Sequence, residues 1–178
     1  MKKALILITL LGLRAHSGAF LTTLNGFYYG QSVENQDKSK TETRQSLLSL
    51  NLSYLTNSKI IFGVMGFSDS LDTGNKIEKT TGVAPQLGFL IGTWGLEAFM
   101  LSQVEYQPDS TQVGKWKEGS GYQVNLVYYS IQSQGLFWGF QWVYRVIDLK
   151  KYDNGFSVDE NKKTISQTYP QIKLGYLF

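Results

Sequence analysis

The chain has 178 residues, a length typical of a single domain, and it contains no cysteine. Disulfide bonds, thiolate nucleophiles and lipid-modified cysteines are therefore excluded. Charged residues make up 17% of the sequence, whereas aromatic residues make up 14%. This composition favours a β-rich fold. It does not favour a nucleic-acid partner, because no cluster of Lys and Arg is interleaved with aromatic residues.

The beginning of the chain has the three parts of a secretory signal peptide. Lys2 and Lys3 are followed by an uncharged, mostly aliphatic run from Ala4 to Leu13, and small residues come next. The run is too short to span a membrane as a helix, although a short buried helix is an alternative. We therefore predict export through the inner membrane.

The signal peptide is predicted over residues 1–19, with cleavage after Ser17 or Ala19, and a single barrel domain over residues 20–178. Residues 1–19 hold three of the 17 Lys and Arg and none of the 14 Asp and Glu. The formal charge of +3 therefore belongs to the export signal, and the remainder is formally neutral. The one histidine, His16, also lies in this segment.

Eight strands are predicted in the remaining sequence from runs in which apolar and polar residues alternate. In the second of them, Leu48, Leu50 and Leu52 alternate with Ser49 and Asn51. The predicted strands lie within residues 21–32, 48–54, 60–67, 81–91, 94–106, 122–128, 136–146 and 164–178. Four long polar loops alternate with three tight turns between them. This alternation predicts an antiparallel up-and-down barrel with its four long loops on one side and its turns on the other.

The seventh strand distinguishes between two kinds of eight-stranded barrel. A soluble, lipocalin-like barrel points its apolar residues inward, and a membrane barrel points them outward. One face of this strand carries Trp138, Phe140, Trp142 and Tyr144, while Arg145 lies on the other face. Four successive bulky aromatics do not fit inside a narrow barrel, so we predict that they face lipid.

The last predicted strand has an apolar face formed by Ile172, Leu174, Tyr176 and Phe178. This pattern resembles the C-terminal assembly signal of outer-membrane barrels, and the alternative is a terminal strand of a soluble core. The whole domain resembles the small eight-stranded outer-membrane proteins, namely the OmpA transmembrane domain, OmpX, OmpW and the opacity-like barrels. The resemblance implies an outer-membrane location, a periplasmic side for the three turns, and recognition by the barrel assembly machinery.

The inward face of such a barrel is predicted to hold a network of charges. Burying an unpaired charge is costly, so each should have a partner. From the expected heights along the strands, we predict two pairs. Glu97 with Lys173 forms the lower pair, and Glu105 with Arg145 forms the upper one. Shear between the strands could exchange these partners, and single charges could also sit in water at the barrel mouths.

We predict that the protein is not an enzyme and binds no cofactor or metal. The enzymes that share this architecture resemble the lipid A palmitoyltransferase and the lipid A deacylase, and both families use a histidine. Without His or Cys in the domain, a Ser nucleophile or a water has no ordinary activating base. Asp69 and Asp72 are predicted to lie in a flexible loop with no partner base.

Three functions remain open. The first is a monomeric, non-enzymatic barrel with a structural or surface-interaction role, in contact with membrane lipid, lipopolysaccharide and an extracellular partner of its loops. The second, implied by the resemblance to OmpW, is a narrow channel for small, mostly apolar compounds. The third is a lipid-modifying enzyme. Trp116, Tyr152 and Phe156 in the loops are predicted to anchor at the interface, with sugar or partner contacts as the alternative.

Overall fold

The computed structural model describes residues 18–34, 40–110, 114–131 and 134–178. Most of the predicted signal peptide lies outside these residues, but its last two residues, Gly18 and Ala19, belong to the first strand and pair with Thr56 and Leu55. The strands are β1 Gly18–Glu34, β2 Lys40–Thr56, β3 Ile60–Asp72, β4 Ile77–Ile91, β5 Trp94–Gln107, β6 Lys115–Tyr129, β7 Gly135–Asp153 and β8 Val158–Leu177.

The eight strands form one closed ring in chain order, each antiparallel to its two neighbours. The predicted all-β, up-and-down architecture is therefore confirmed. Within the described part of the chain there is no helix long and apolar enough to cross a membrane. We call the end where β2 leads to β3, β4 to β5 and β6 to β7 the turn end, and the opposite end the hairpin end.

The strands continue further toward the hairpin end than the sequence predicts. The predicted loop between the strands at residues 136–146 and 164–178 is mostly paired strand. Here β7 and β8 stay paired out to Asp153 and Val158, with one register shift between Leu149 and Lys151. The four residues between these strands close a tight turn, in which Gly155 has a φ of 88°. Polar sequence in this region therefore marks strands exposed on both faces rather than irregular loops, since backbone pairing does not require an apolar face.

A β-bulge reverses the two faces of β5 near its hairpin end. The register with β6 shifts between Leu101 and Val104. Gln103 adopts a left-handed backbone conformation with a φ of 52°. Ser102 and Gln103 are both exposed, so the alternation restarts one residue later. In a strand without a bulge, Val104 would share the exposed face of Trp94, but Val104 is completely buried inside the barrel.

The ring closes through a short seam between the first and last strands. Only six residue pairs join β1 to β8, from Leu21 opposite Leu177 to Gly26 opposite Ile172. Both strands continue beyond this point toward the hairpin end without pairing with each other among the described residues. Pro170 lies two residues from Ile172 in β8, on the hairpin-end side, and has no backbone N–H group to donate to β1. The seam is therefore the least extensively paired strand boundary of the ring.

Candidate functional site

The interior of the barrel is the candidate site, because it collects nearly all of the buried polar side chains of the described residues. In the middle of the strands, inward positions alternate with outward apolar ones, as in β5, β7 and the second half of β8. The buried polar and charged residues are Thr23, Asn25, Ser49, Asn51, Ser53, Asp69, Thr80, Gln86, Glu97, Gln123, Asn125, Gln141, Arg145, Gln171 and Lys173. The interior thus holds two buried acids and two buried bases, which separate into two clusters.

The lower ion cluster consists of Glu97, Lys173 and Tyr129 and lies toward the turn end. Lys173 Nζ donates to both carboxylate oxygens of Glu97 at 3.0 and 3.1 Å, and it lies 3.1 Å from the Tyr129 hydroxyl. That hydroxyl in turn donates to Glu97 Oε1. The side chains of Glu97 and Lys173 are completely buried. The structure therefore brings together the two residues that the sequence predicted as the lower pair.

Glycines on the neighbouring strands make room for this cluster. Gly88 lies opposite Glu97, and Gly139 lies opposite Lys173. A Cβ atom added at Gly88 would come within 3.2 Å of Glu97 Cγ, and one at Gly139 would come within 2.5 Å of the Tyr128 carbonyl oxygen. Two long charged side chains therefore fit at one height because their inward-facing neighbours have no side chain.

The upper ion cluster consists of Asp69, Arg145 and Gln123 and lies closer to the hairpin end. Arg145 Nη1 donates to Asp69 Oδ2, and Arg145 Nε donates to Gln123 Oε1 at 2.7 Å. The guanidinium carbon lies 4.1 Å from the centre of the Phe67 ring, an arrangement that suits a planar, weakly hydrated cation.

The predicted pairing of Glu105 with Arg145 is wrong. Glu105 points outward and forms an exposed salt bridge with Lys115 at 3.2 Å. The physical reason is the β5 bulge at Gln103, which moves every later residue of β5 to the opposite face. Without the bulge, Glu105 would share a face with Glu97. Arg145 takes Asp69 as its acid instead.

Asp69 is a site residue that the sequence analysis placed in a flexible loop, and that prediction is also wrong. It lies in β3, where it pairs with Leu47 of β2 and Thr80 of β4. Only 4% of its surface is exposed. The signal was available in the alternation of Met65, Phe67 and Asp69, which continues the inward face into the polar run after Phe67.

Hydrogen-bonded amides connect the two ion clusters. Gln123 Nε2 donates to Asn125 Oδ1 at 2.9 Å, and Asn125 Nδ2 donates to Gln141 Oε1 at 3.3 Å. Gln141 Nε2 then donates to Gln171 Oε1 at 2.5 Å. Asn125 Nδ2 also lies 3.5 Å from Glu97 Oε2. The middle of the barrel is therefore filled by side chains that bind one another.

Apolar layers lie on either side of the polar middle. At the turn end, the interior is filled by one cluster of aliphatic and aromatic side chains, whose buried members are Leu21, Leu55, Ile61, Val127, Tyr129, Phe137 and Leu177. A second apolar cluster begins level with the upper ion cluster, where Phe99 lies opposite Gln123, and continues toward the hairpin end. Its buried members are Met65, Phe67, Ala84, Phe99, Leu101, Val104, Tyr106, Ile147 and Leu149.

The outward face is apolar on all eight strands. The predicted aromatic row of β7 points outward, as Trp138, Phe140, Trp142 and Tyr144 are each between 42% and 56% exposed. The same holds for the terminal face, on which Ile172, Leu174, Tyr176 and Phe178 are exposed. Further outward apolar residues include Leu24, Leu48, Leu50, Leu52, Phe62, Val64, Val83, Leu87, Phe89, Leu96, Met100 and Leu126.

The paired strands at the hairpin end carry exposed salt bridges and aromatic residues. Lys117 donates to Asp153 at 2.6 Å, and this hydrogen bond lowers the pKa of the Asp153 carboxyl. Of the three loop aromatics named in the sequence, Trp116 is partly buried and packs against the second apolar cluster. Its ring centre lies 5.3 Å from that of Tyr152. Phe156 is fully exposed at the tip of the β7–β8 hairpin.

Within residues 18–34, 40–110, 114–131 and 134–178, no three His, Cys, Asp or Glu residues come close enough together to hold a metal ion. A cavity of about 370 Å³ opens at the hairpin end of the interior, beside Asp69. No family model matches the chain, and no curated protein matches it as a relative.

Proposed function

We propose that the protein is a monomeric, non-enzymatic barrel of the bacterial outer membrane, exported by its signal peptide. Its side-chain-filled interior is structural, and its hairpin end provides contacts at the cell surface. Membrane lipid, lipopolysaccharide and the barrel assembly machinery are its partners in this proposal. The observation that carries it is the inverted polarity of the barrel, with charged residues buried inside and large apolar residues exposed outside.

The inverted polarity supports a lipid environment on energetic grounds. A soluble monomer rarely exposes a contiguous apolar surface larger than a few hundred Å². Here the outward positions of all eight strands form such a surface around the whole ring, including Leu50, Val64, Leu87 and Trp142. Each large apolar side chain transferred from water to lipid gains about 1.5–3 kcal/mol. The same surface would drive aggregation in water.

The height of the apolar surface supports a spanning position. On β7 the outward residues are apolar from Leu136 to Val146, ten residues later, and the first outward charge is Asp148. At about 3.3 Å per residue this stretch is about 33 Å long, and a strand tilt of about 40° gives a height of about 25 Å. The apolar band of known outer-membrane barrels has about that height.

Aromatic rings concentrate near the two edges of this band. Near the turn end, Tyr128 packs against Trp94 at 5.5 Å and against Trp138 at 5.7 Å between ring centres. Six residues further along β6 and β7, Tyr122 and Tyr144 pack at 6.2 Å. Aromatic side chains favour the boundary between lipid and water, so both groups suit interfacial positions.

The packed interior supports a structural role over the channel alternative. The apolar cluster at the turn end, which includes Leu21, Ile61 and Phe137, fills the lumen where an aqueous path would have to leave it. Planar-bilayer recording tests this point. A barrel without conductance agrees with the structural role, whereas steady single-channel currents would favour the channel.

Depth-dependent quenching of tryptophan fluorescence tests the membrane location. Variants that keep only Trp138, Trp142 or Trp116 are refolded into vesicles that contain lipids with quenchers at known depths. We expect quenching of Trp142 from within the acyl region, of Trp138 nearer the headgroups, and almost none of Trp116 from either depth. Equal quenching of all three, or none, would contradict the proposal. Heat-dependent migration on SDS gels serves as the control for folding.

A further inference from the structure

The wall of the barrel is incomplete at the hairpin end, between β1 and β8. The last residue pair that joins these two strands is Gly26 opposite Ile172. Beyond it, β1 continues to Glu34 and β8 extends back to Val158, and among the described residues no backbone pair joins them there. Each strand is paired on its other side, with β2 and with β7. The gap is therefore bordered by a free strand edge on each side.

One hydrogen bond at the turn end shows which backbone groups of β8 face the gap. The Phe178 amide donates to the Phe20 carbonyl oxygen. In an antiparallel ladder, the N–H and C=O of one residue point to the same neighbouring strand, and those of the next residue point to the other. Since β8 keeps a continuous register with β7 from Leu177 back to Lys163, all its even-numbered residues in this stretch face β1.

The free edge of β8 consists of the backbone N–H and C=O groups of Thr164, Ser166 and Thr168. Pro170 is the next even-numbered residue, and it has no N–H to donate to β1. Along the edge, donors and acceptors therefore recur every second residue, at a spacing of about 6.6 Å. The backbone of another extended strand presents the complementary row of groups, so the edge is suited to strand addition.

The cavity at the hairpin end lies directly behind this edge. It has a volume of about 370 Å³, and Thr164 and Ser166 are among the residues that line it. Its walls also include apolar side chains from three strands, such as Leu47, Leu71 and Ile165. Because side chains alternate along a strand, a strand added to the edge would direct every second side chain into this space.

The charged groups around the cavity are already engaged. Asp69 is bound to Arg145 inside the barrel. Glu78 is paired with Lys76 at 2.6 Å and also lies within electrostatic reach of Lys163. A side chain that enters the cavity should therefore be uncharged, because a further charge would find no free partner there.

A lipid chain is a poor occupant of the edge. Thr168 lies opposite Tyr144 and Ser166 lies opposite Val146, so both are level with the upper part of the outward apolar band. Acyl chains offer no hydrogen-bond partner to backbone groups at that height. A peptide strand provides these partners, and its outward residues can lie beside the hydroxyl groups of β8.

We propose that the free edge of β8 binds an extended peptide segment of a partner at the cell surface, as an added strand antiparallel to β8. Its outward residues exchange backbone hydrogen bonds with Thr164, Ser166 and Thr168, and its inward residues are uncharged and enter the cavity. The proposal deepens the proposed surface role, on which it rests for the accessibility of the hairpin end. Binding is measured in detergent micelles, so its failure is distinct from a failure of the quenching experiment.

A pair of synthetic peptides tests the proposal. A fluorescently labelled peptide of alternating Thr and Val, with a Lys at each end for solubility, is titrated with the full chain refolded in micelles. Its matched control carries N-methyl groups on the threonines, which removes the donors that would face β8. We expect the parent peptide to bind at least about tenfold more tightly by fluorescence anisotropy, because several hydrogen bonds are lost in the control. If the parent peptide shows no advantage, the proposal is wrong.

Two substitutions at one position locate the binding. Ser166→Pro removes the central N–H of the free edge but no bond to β7, so it should weaken binding about tenfold. Ser166→Val keeps that N–H and should bind as the unmodified chain does. Equal affinity of the two variants would overturn the assignment. Heat-dependent migration on SDS gels confirms folding, and the comparison of the two peptides does not depend on either variant.

Light scattering of the refolded chain without peptide tests the competing occupant, a second copy of the chain. We expect the mass of one chain. A dimer that Ser166→Pro converts to a monomer would show that a second copy covers the edge, and the proposal of a partner peptide would then be wrong.

Discussion

The two ion clusters are built from similar residues but differ in how completely they are satisfied. In the lower cluster, both oxygens of Glu97 accept hydrogen bonds from Lys173, and Tyr129 adds a further donor. In the upper cluster, Arg145 binds one oxygen of Asp69, and the other oxygen has no donor among the described residues. We therefore call the lower cluster closed, because its carboxylate is fully hydrogen-bonded, and the upper cluster open, because it holds a buried acceptor that no described side chain satisfies.

The surroundings of the clusters explain this difference. Around the lower one, Gly88 and Gly139 let the long side chains approach each other, and the apolar layer at the turn end excludes water. Around the upper one, the Arg145 guanidinium lies against the Phe67 ring, and the cavity opens beside Asp69. We therefore expect the lower cluster to contribute more to stability and the upper one to tolerate change better.

Removal of the lower cation should have the largest effect. Lys173→Met leaves the completely buried Glu97 without a cation, and such a loss costs about 3–5 kcal/mol. The free energy of unfolding in urea, measured in lipid vesicles, should fall by that amount. The double variant Glu97→Gln with Lys173→Met should recover part of it. An unchanged unfolding midpoint in Lys173→Met would show that the lower pair is unimportant.

The corresponding change in the upper cluster should cost less. Arg145→Met removes the cation that binds Asp69, but Asp69 lies beside the cavity and keeps 4% of its surface exposed, whereas Glu97 keeps none, so we expect a smaller loss of about 2–3 kcal/mol. The same unfolding measurement applies. If Arg145→Met is more destabilising than Lys173→Met, the contrast between a closed and an open cluster does not hold.

A matched pair of glycine variants tests the packing around the lower cluster. A Cβ atom at Gly139 would come too close to the Tyr128 carbonyl oxygen, whereas a Cβ atom at Gly66 would meet nothing within 4 Å. Gly139→Ala should therefore destabilise the barrel by about 1–2 kcal/mol, and Gly66→Ala should leave its stability nearly unchanged. Equal unfolding midpoints for the two variants would contradict this.

The smallest effect is expected at the residue that the bulge moves out of the interior. Glu105→Gln breaks only an exposed salt bridge with Lys115, so the loss should stay below about 1 kcal/mol. A loss comparable to that of Arg145→Met would mean that Glu105 does enter the upper cluster. The substitution leaves the bulge intact, so it tests only the position of the Glu105 side chain.

The sequence predicts most of the barrel because its alternation of apolar and polar residues has a period of two, as in β-strands. Eight strands, their order and the outward rows at Trp138 and Ile172 follow from that alternation. The hairpin end is less predictable, because strands exposed on both faces lose the alternation. The paired segment between Asp148 and Lys163 therefore reads as a loop.

The candidate site could be predicted only in part, for a similar reason. The lower pair involves Glu97 and Lys173, which lie within strands of regular alternation. The upper pair could not be predicted, because the bulge at Gln103 turns Glu105 away from Arg145, and no glycine in the sequence marks that change of face. Asp69 was missed because it stands in the polar run Ser68, Asp69 and Ser70, although its inward position continues the alternation of Met65 and Phe67.

The seam between β1 and β8 has a consequence for how the chain folds. Every other strand pair is a hairpin of chain neighbours, but the seam joins residues about 150 positions apart, and the entropy lost in closing so long a loop is large. The beginning of β1 and the end of β8 meet there, where the Phe178 amide donates to the Phe20 carbonyl oxygen at 2.9 Å. We therefore expect seven hairpins to form first and the ring to close last. In that order, the outward row that ends at Phe178 lies on an open sheet edge until the final step.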